Sequence, residues 1–236
     1  MRRYLWSDGW QPTDAPVGEI ACADSWRHVD GRTHCLGSHA RRFERCTGPL
    51  PPGFWEATLR VVGEAGHFFP RVALAEGELR LDVRPAPPAR RTTVLGLADA
   101  PDPRTAPLVK GPDLARLARF RDNYAPPGAD DVVLGDFDET TTGALVGWHG
   151  DVLVVPAGVR LPSVTQEQVA ERARELGHRV RAGRLRPGMP LWFVNSLHGI
   201  SPVTRIVGPG GSRAVPAQPG AADWAAWWWA GFRSGG

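Results

Sequence analysis

Turn-forming residues interrupt the chain repeatedly, and from Trp6 to about Pro51 they predict short extended segments in place of long regular elements. The 236 residues include 28 glycines and 23 prolines, and both residue types favour turns over the interior of a helix or strand. Short extended segments lie between these turns, and few stretches show the apolar spacing of a helix. Because strands outnumber helices and alternate with them irregularly, we predict an α+β fold of two domains with a cleft between them.

The first part of the chain is expected to be rich in strands. Residues 54–62 fit a helix and a strand equally well, because neither periodicity prevails there. The other predicted elements are a strand entering a hairpin over 23–32, a helix over 38–46 capped by Ser38, and strands over 67–74, 79–84 and 92–97.

Proline-rich segments mark the expected domain boundary. Exposed segments of this kind are places where few contacts cross between domains, and Pro101-Asp102-Pro103 is such a segment. We therefore predict a small domain over residues 1–100 and a larger one over 101–236. The second is expected to contain a helix over 114–120, a strand over 131–134, a hairpin over 143–148 and 151–156, and strands over 191–195 and 202–207.

Two further helices are predicted in the second domain. Residues 165–176 form the better one, because Thr165 and Gln168 have the spacing of a capping box and Gly177 follows as a stop signal. The tryptophan-rich run over 224–229 is also expected to be helical. Its indoles could pack against the large domain or form a surface that faces a partner.

The composition excludes several functional classes. Hydrophobic residues make up 42% and charged residues 22% of the chain, as in ordinary globular proteins. The absence of a bilayer-length apolar run and of an apolar signal core predicts a cytoplasmic protein without a membrane partner. The net charge is only +3, with acids interleaved among the arginines, which argues against a nucleic-acid partner but leaves anionic small molecules possible.

Metal and disulfide chemistry are not expected. Cys22, Cys35 and Cys46 are odd in number and irregularly spaced, which is typical of reduced thiols. His34 and His39 lie among them, but no zinc-like spacing results, so no metal site is predicted.

A single lysine stands among 27 arginines, and it is Lys110. Arginine remains protonated, whereas a desolvated lysine can lose its proton and condense with an aldehyde. A lysine that holds a carbonyl cofactor with a phosphate would need backbone N–H groups at a helix start, hydroxyls and an arginine. A pyridine ring would need a carboxylate at its nitrogen. Three segments of the second half supply such groups: Asp138–Thr142, Leu161–Thr165 and Asn195–Ile200.

The order of these motifs resembles the class IV aminotransferase family. Lys110 is followed by Asp138–Thr142 before a hairpin, by Leu161–Thr165 opening a helix, and by Asn195–Val203. A fainter similarity covers residues 23–43, with Asp24-Ser25-Trp26 and the His-x-x-Arg pattern that ends at Arg42. The resemblance implies a fold type IV enzyme that uses pyridoxal 5'-phosphate, with a small N-terminal α/β domain and a larger, β-barrel-like C-terminal domain. The family also includes aminodeoxychorismate lyase and the branched-chain and D-amino-acid aminotransferases.

The resemblance implies a role for each matching residue. Lys110 matches the Schiff-base lysine, which also moves the substrate's α-proton, and Glu139 matches the acid at the pyridine nitrogen. Four residues match the phosphate site, and four fall where the family contacts substrate. The phosphate residues are Arg42, Val164, Thr165 and Ser196, and the substrate residues are Asp24, Ser25, Leu197 and His198.

Three departures from the family pattern bear on this prediction. Ser163 stands where the family usually has glycine, Gln166 where it has arginine, and Ala144 where a small polar residue is common. The expected activity is transamination of an amino acid with a keto acid, in a homodimer. Two alternatives stay open: an elimination like that of aminodeoxychorismate lyase, or a protein that has kept the fold and lost turnover.

Overall fold

The computed structural model describes residues 1–234, which form two compact units. The first unit comprises Met1–Pro88, Val109–Pro112 and the chain from Ala230, and the second comprises Ala89–Leu108 and Asp113–Trp229. The helices are α1 (Leu36–Thr47), α2 (Phe54–Val62), α3 (Leu114–Tyr124), α4 (Val164–Glu175) and α5 (Ala221–Ala230). The strands are β1 (Arg2–Trp6), β2 (Trp10–Pro12), β3 (Ile20–Ser25), β4 (His28–Val29), β5 (Arg32–Thr33), β6 (His67–Phe68), β7 (Arg71–Ala75), β8 (Glu78–Val83), β9 (Thr93–Gly96), β10 (Asp131–Leu134), β11 (Glu139–Thr140), β12 (Ala144–His149), β13 (Val152–Pro156), β14 (Arg179–Gly183), β15 (Leu191–Asn195), β16 (Gly199–Gly208), β17 (Gly211–Ala214) and β18 (Arg233–Ser234).

The first unit is built on a five-stranded antiparallel sheet. Its strand order is β2-β1-β8-β7-β3, and a smaller sheet has the order β18-β5-β4-β6. The aromatic and aliphatic side chains of α1, α2 and the larger sheet form one core, in which Trp26, Phe43 and Leu81 are fully buried. Burying each such side chain stabilises the folded state by about 1.5–3 kcal/mol, and this burial holds α1 against β3.

The second unit contains a closed six-stranded barrel. The ring runs β11-β10-β9-β16-β15-β12 and closes because β12 also pairs with β11. Strands β13 and β14 extend from β12, and β17 extends from β16. Leu95, Leu145 and Phe193 lie in one buried cluster of this unit, so the alternation of the strands directs apolar side chains to a shared core.

The predicted fold class is confirmed, and several elements match their predicted ranges closely. The strands over 131–134 and 191–195 begin and end as expected, and β12 and β13 form the predicted hairpin. The segment over 54–62, which the sequence left open, is helical.

Two predicted helix starts are wrong. Helix α1 begins two residues before Ser38, after Cys35 in a left-handed conformation without a side-chain cap. Helix α4 is capped by Ser163, whose hydroxyl accepts a hydrogen bond from the amide of Gln166 at 3.3 Å. The expected capping box of Thr165 therefore does not form, because Thr165 lies inside the helix and is buried.

The compact units divide the chain differently from the predicted boundary at residue 100. The first stretch of the first unit ends at Pro88, and β9, which lies before residue 100, is a strand of the barrel. The segment Val109–Pro112 belongs to the first unit, where the amide of Ala23 donates a 2.6 Å hydrogen bond to the carbonyl of Lys110.

The tryptophan-rich run is helical, as predicted. Trp224 and Trp228 are buried, and the ring of Trp224 packs against those of Trp148 and Trp192. The indole N–H of Trp228 donates to the side chain of Gln168 at 3.2 Å. Burial within the second unit thus accounts for two of the four indoles.

No helix within residues 1–234 has the length and apolar character needed to cross a membrane.

Candidate active site

The segment that carries Lys110 is fastened to β3. Besides the hydrogen bond between Ala23 and Lys110, Gly111 approaches the strand so closely that a Cβ atom there would lie 2.8 Å from Cα of Cys22. Gly111 also has a φ of +151°, which side-chain-bearing residues rarely adopt. Glycine at this position therefore allows the lysine to be held against the sheet.

The amine of Lys110 is partly buried among charged groups of the first unit. Burial and the nearby guanidinium of Arg42 lower the pKa of Lys110 to about 8, although Asp24 opposes the shift. Arg84 and Arg71 lower the pKa further. This amine therefore releases its proton more readily near neutral pH than an ordinary lysine does, and the unprotonated form is the one that attacks a carbonyl carbon.

Asp24 is the fully buried centre of a hydrogen-bond network. Its carboxylate accepts hydrogen bonds from Arg42 at 2.7 and 2.8 Å and from Nδ1 of His39 at 2.8 Å. Burial alone would raise the pKa of Asp24, but Arg42 and His39 hold it well below its usual range. Burial lowers the pKa of His39, so the imidazole is neutral, with its Nδ1 proton directed at the carboxylate. Arg42 is thus oriented by a permanent negative charge.

Ser25 lies beside an arginine that the sequence prediction omitted. The guanidinium of Arg84 donates to the hydroxyl of Ser25 at 3.4 Å and to the carbonyl of Phe69 at 3.1 Å. Burial and the charge of Arg71 lower the pKa of Arg84 to about 10. Arg71 itself is paired with Asp82 at 2.5 Å. The surroundings of Lys110 are therefore rich in guanidinium groups, which favour an anionic ligand.

Glu139 lies on β11 of the second unit and is 7% exposed. One carboxylate oxygen accepts a hydrogen bond from the guanidinium of Arg104, and the other accepts the amide of Leu161 at 3.2 Å. Burial raises the pKa of Glu139, although Arg104 and this amide oppose the shift. The side chain is therefore a buried acid whose charge depends on its hydrogen-bond donors.

The chain that follows Glu139 is anchored by Asp131. This buried carboxylate accepts hydrogen bonds from the hydroxyls of Thr140, Thr141 and Thr142 and from the amide of Thr142 at 3.2 Å. The three threonines after Glu139 therefore fix the turn through Asp131, and the backbone next to Glu139 is held in one conformation.

The start of α4 places two of the predicted phosphate residues at a helix N-terminus. Helix geometry leaves the amides of Val164 and Thr165 without acceptors inside the helix. Gln166, which replaces the family's arginine, is buried and links the carbonyl of Leu145 to Nε of Arg160 through hydrogen bonds of 2.8 and 3.1 Å. The guanidinium at this helix start thus comes from Arg160.

Ser196, Leu197 and His198 form the turn between β15 and β16. The side-chain oxygen of Asn195 accepts the amides of Leu197 and His198 at 3.1 and 2.8 Å, which fixes the turn. Nδ1 of His198 accepts the amide of Arg90 at 3.2 Å, so Nε2 carries the ring proton when the ring is neutral.

The predicted site residues fall into two groups. Lys110, Asp24, Ser25 and Arg42 lie in the first unit, where Lys110, Asp24 and Arg42 interact electrostatically. The other six lie in the second unit: Glu139, Val164, Thr165, Ser196, Leu197 and His198.

The prediction missed Arg71, Arg84 and Arg104, because among 27 arginines no composition signal distinguishes them. Within residues 1–234, no three side chains of the metal-binding types cluster as a metal site would require.

Solved structures with the same fold are fold type IV aminotransferases. A hypothetical aminotransferase from Mycobacterium tuberculosis, bound to α-ketoglutarate and pyridoxamine phosphate, superposes with a TM-score of 0.80 at 19% identity over 98% of both chains. A fold IV transaminase from Curtobacterium pusillum has a TM-score of 0.75 at 19% identity over 97% of both chains. A branched-chain aminotransferase from the thermophilic archaeon Thermoproteus uzoniensis has a TM-score of 0.76 at 14% identity, over 97% of this chain and 93% of that one. No curated protein matches the chain.

The sequence itself places the chain within that class. The family profile described as amino-transferase class IV matches residues 21–206. The chain belongs to the class IV aminotransferase family, which confirms the resemblance found in the sequence. Enzymes of this family use pyridoxal phosphate, and the predicted cofactor and the prediction that the chain is an enzyme are confirmed at that level.

The side chains present fit such a cofactor. It combines an aldehyde, a basic ring nitrogen and a phosphate, which call for an amine, an acid and anion-binding amides. Lys110 supplies an amine of lowered pKa, Glu139 supplies a buried acid, and the first turn of α4 supplies amides without helical acceptors.

Proposed function

We propose that this protein is a pyridoxal-phosphate-dependent aminotransferase in which the amine of Lys110 would hold the cofactor at its aldehyde carbon with release of water. Once a substrate amine has displaced it, the freed amine of Lys110 would move the substrate's α-proton. The proposal is carried by the placement of this one lysine, which is held against β3, where burial and the charges of Arg42, Arg84 and Arg71 lower its pKa. An amine with a pKa of about 8 can attack as a free base and can then return a proton. When bound, the cofactor's pyridinium ring takes up the electron pair that removal of the α-proton leaves behind.

The other residues are proposed to bind and orient. Glu139 holds a proton at the ring nitrogen, and the amides of Val164 and Thr165, the hydroxyl of Ser196 and the guanidinium of Arg42 hold the phosphate. Support for the helix amides comes from their position at the start of α4. Support for Arg42 is the rigid orientation that Asp24 imposes on it.

Substrate contacts are proposed for Asp24, Ser25, Leu197 and His198. Asp24 is fully buried, so we propose that it acts by orienting Arg42, whereas Ser25 acts together with Arg84. The Asn195 hydrogen bonds that fix Leu197 and His198 suit a rigid loop that receives a carboxylate. The proposed substrates are an amino acid and a keto acid. We also propose a homodimer, as the family resemblance implies, and a cytoplasmic location, as the sequence predicts.

The test is the visible absorption spectrum of the protein with pyridoxal phosphate, followed by borohydride reduction and peptide mapping. Wild type should fix the cofactor on the peptide that contains Lys110. Lys110→Ala and Lys110→Arg should both abolish fixation, because neither variant has the amine. Fixation that persists in both variants would refute the role of Lys110.

A product assay separates the three alternatives that the sequence left open: transamination, elimination and loss of turnover. Formation of a keto acid from an amino donor supports transamination, whereas release of an aromatic amine from aminodeoxychorismate supports elimination. Cofactor that is fixed on Lys110 but never exchanges with a panel of donors would mean that the chain has kept the fold without turnover.

A further inference from the structure

The guanidinium of Arg104 joins two carboxylates in the second unit. It donates to Asp102 from Nε at 3.0 Å and from Nη2 at 2.5 Å, while Nη1 donates to Glu139 and to the carbonyl of Val159 at 3.0 Å. The side chain of Arg104 is 8% exposed and that of Glu139 is 10% exposed. This ion pair is therefore shielded from water, unlike an ordinary surface pair.

The backbone that carries Arg104 is held in place. The carboxylate of Asp113 accepts the amides of Thr105 and Ala106 at 2.9 and 2.8 Å and the hydroxyl of Thr105 at 2.7 Å. The amide of Arg104 itself donates to Asp102 at 3.0 Å. The guanidinium is thus presented to Glu139 from a fixed loop.

The charges of this group do not cancel. Asp102 and Glu139 each carry a negative charge when ionised, and the shared Arg104 carries one positive charge. Two other charged groups lie in this region, Arg160 and Asp138. Burial lowers the pKa of Arg160, and the negative charges of Asp138 and Glu139 oppose this shift. When all five groups are ionised, the three acids and two arginines together carry one net negative charge, and Glu139 is the most buried of the three acids.

We propose that Arg104 and Asp102 are positioning residues for Glu139: Arg104 keeps this carboxylate ionised, and Asp102 leaves it with one uncompensated negative charge available to a protonated pyridine nitrogen. Arg104 favours the carboxylate form of a side chain that burial would otherwise neutralise. Asp102 shares the guanidinium and so prevents it from cancelling the charge of Glu139 completely. Each oxygen of Glu139 has one donor in the structure, and a carboxylate oxygen can accept two, so capacity remains for a further donor. This inference rests on the proposed function for the identity of the cation.

A cofactor-free measurement tests the electrostatic part by itself. The δ-carboxyl ¹³C signal of Glu139, identified by its loss in Glu139→Gln, is titrated with pH in wild type and variants. Arg104→Gln should raise the pKa of Glu139 by about 1–3 units, because an adjacent cation is lost. Asp102→Asn should lower it, since Arg104 then serves Glu139 alone. Arg104→Lys, which keeps the charge, should restore part of the wild-type value.

The second measurement uses ¹⁵N-labelled pyridoxal phosphate bound to the same proteins. In Arg104→Gln, the ring-nitrogen shift near neutral pH should move toward that of a neutral, hydrogen-bonded pyridine, because the proton passes to Glu139. In Asp102→Asn, the ring nitrogen should instead lose its proton to solvent at a lower pH than in wild type. A purely structural salt bridge would reduce stability without producing these two different signatures.

The matched control is Arg184→Gln. Arg184 pairs with Asp136 in the same unit, but both side chains are more than half exposed, so neither signal should change. An unchanged carboxyl titration in both Arg104→Gln and Asp102→Asn would overturn the inference even if the cofactor binds. A different result would be that the variants change the pKa of Glu139 as expected but the wild-type protein binds no pyridoxal phosphate. That result would refute the proposed function, and with it the pyridine as the cation. The inferred effect of Arg104 and Asp102 on the ionisation of Glu139 would still hold.

Discussion

At the scale of single residues, two ionisable groups of the first unit respond oppositely to the same surroundings. Asp24 is fully buried but accepts strong hydrogen bonds from Arg42 and His39, which stabilise its charge. Lys110 lies beside the same arginine, which disfavours its charge. The protein therefore stabilises the anion at Asp24 and leaves Lys110 ready to lose its proton.

The change Lys110→Met should raise the free energy of unfolding of the cofactor-free protein near neutral pH. The folded-state pKa of this amine is lowered from 10.5 to about 8, so at neutral pH the native state holds a charge that its surroundings disfavour. Since one pKa unit corresponds to about 1.4 kcal/mol, the gain should be roughly 1–3 kcal/mol. It should shrink as the pH rises from about 8 toward 10.5, because the folded wild type then releases its proton before the unfolded chain does. Urea denaturation across this interval measures the gain.

The control for this prediction is Lys110→Arg. A guanidinium keeps its proton throughout the same pH interval, so this variant should show no gain in stability. If both variants were destabilised equally at every pH, the charge of Lys110 would not be disfavoured in the folded protein.

At the scale of elements, helix α4 shows how a correct prediction can have a wrong start. Thr165 with Gln168 and Ser163 with Gln166 both have the spacing of a capping pair, so the pattern alone supports either. Packing decides between them, because Thr165 and Gln168 are buried and Gln168 accepts the indole N–H of Trp228. The hydroxyl of Ser163 is then the group that caps the helix.

Removing this cap should destabilise the protein in a way that depends on the replacement. Ser163→Ala should cost about 1 kcal/mol, because the amide of Gln166 loses its acceptor, whereas Ser163→Gly should cost only a few tenths. Thermal unfolding of the cofactor-free variants measures both values. Equal losses for alanine and glycine would show that the hydroxyl is not acting as a cap.

At the scale of the whole molecule, neither compact unit is a continuous stretch of chain. The first unit takes in Val109–Pro112 and the chain from Ala230, and the second begins at Ala89. Strand β9 is the decisive element, because it pairs in parallel with both β10 and β16. Without β9 the ring of the barrel is open and two strand edges are exposed.

Fragments test this division. A fragment of residues 101–236 lacks β9 and should show no cooperative thermal unfolding and strong binding of a hydrophobic dye. A fragment of residues 89–236 contains every strand of the barrel and should unfold cooperatively by circular dichroism. Cooperative unfolding of the shorter fragment would support the boundary at residue 100 that the sequence predicted.

Local patterns alone were sufficient for the kinds of most predicted elements, though not for residues 54–62, and for the hairpin through β12 and β13, the family, and Lys110 as the candidate nucleophile. These features depend on side-chain alternation, turn residues and the order of motifs, all of which are properties of neighbouring positions in the chain. The closure of the barrel, the true cap of α4, and the engagement of Arg104 with Glu139 were decided only by tertiary structure. Each depends on residues that are distant in the sequence being brought together, and burial then determines which polar groups must be paired and which charges survive.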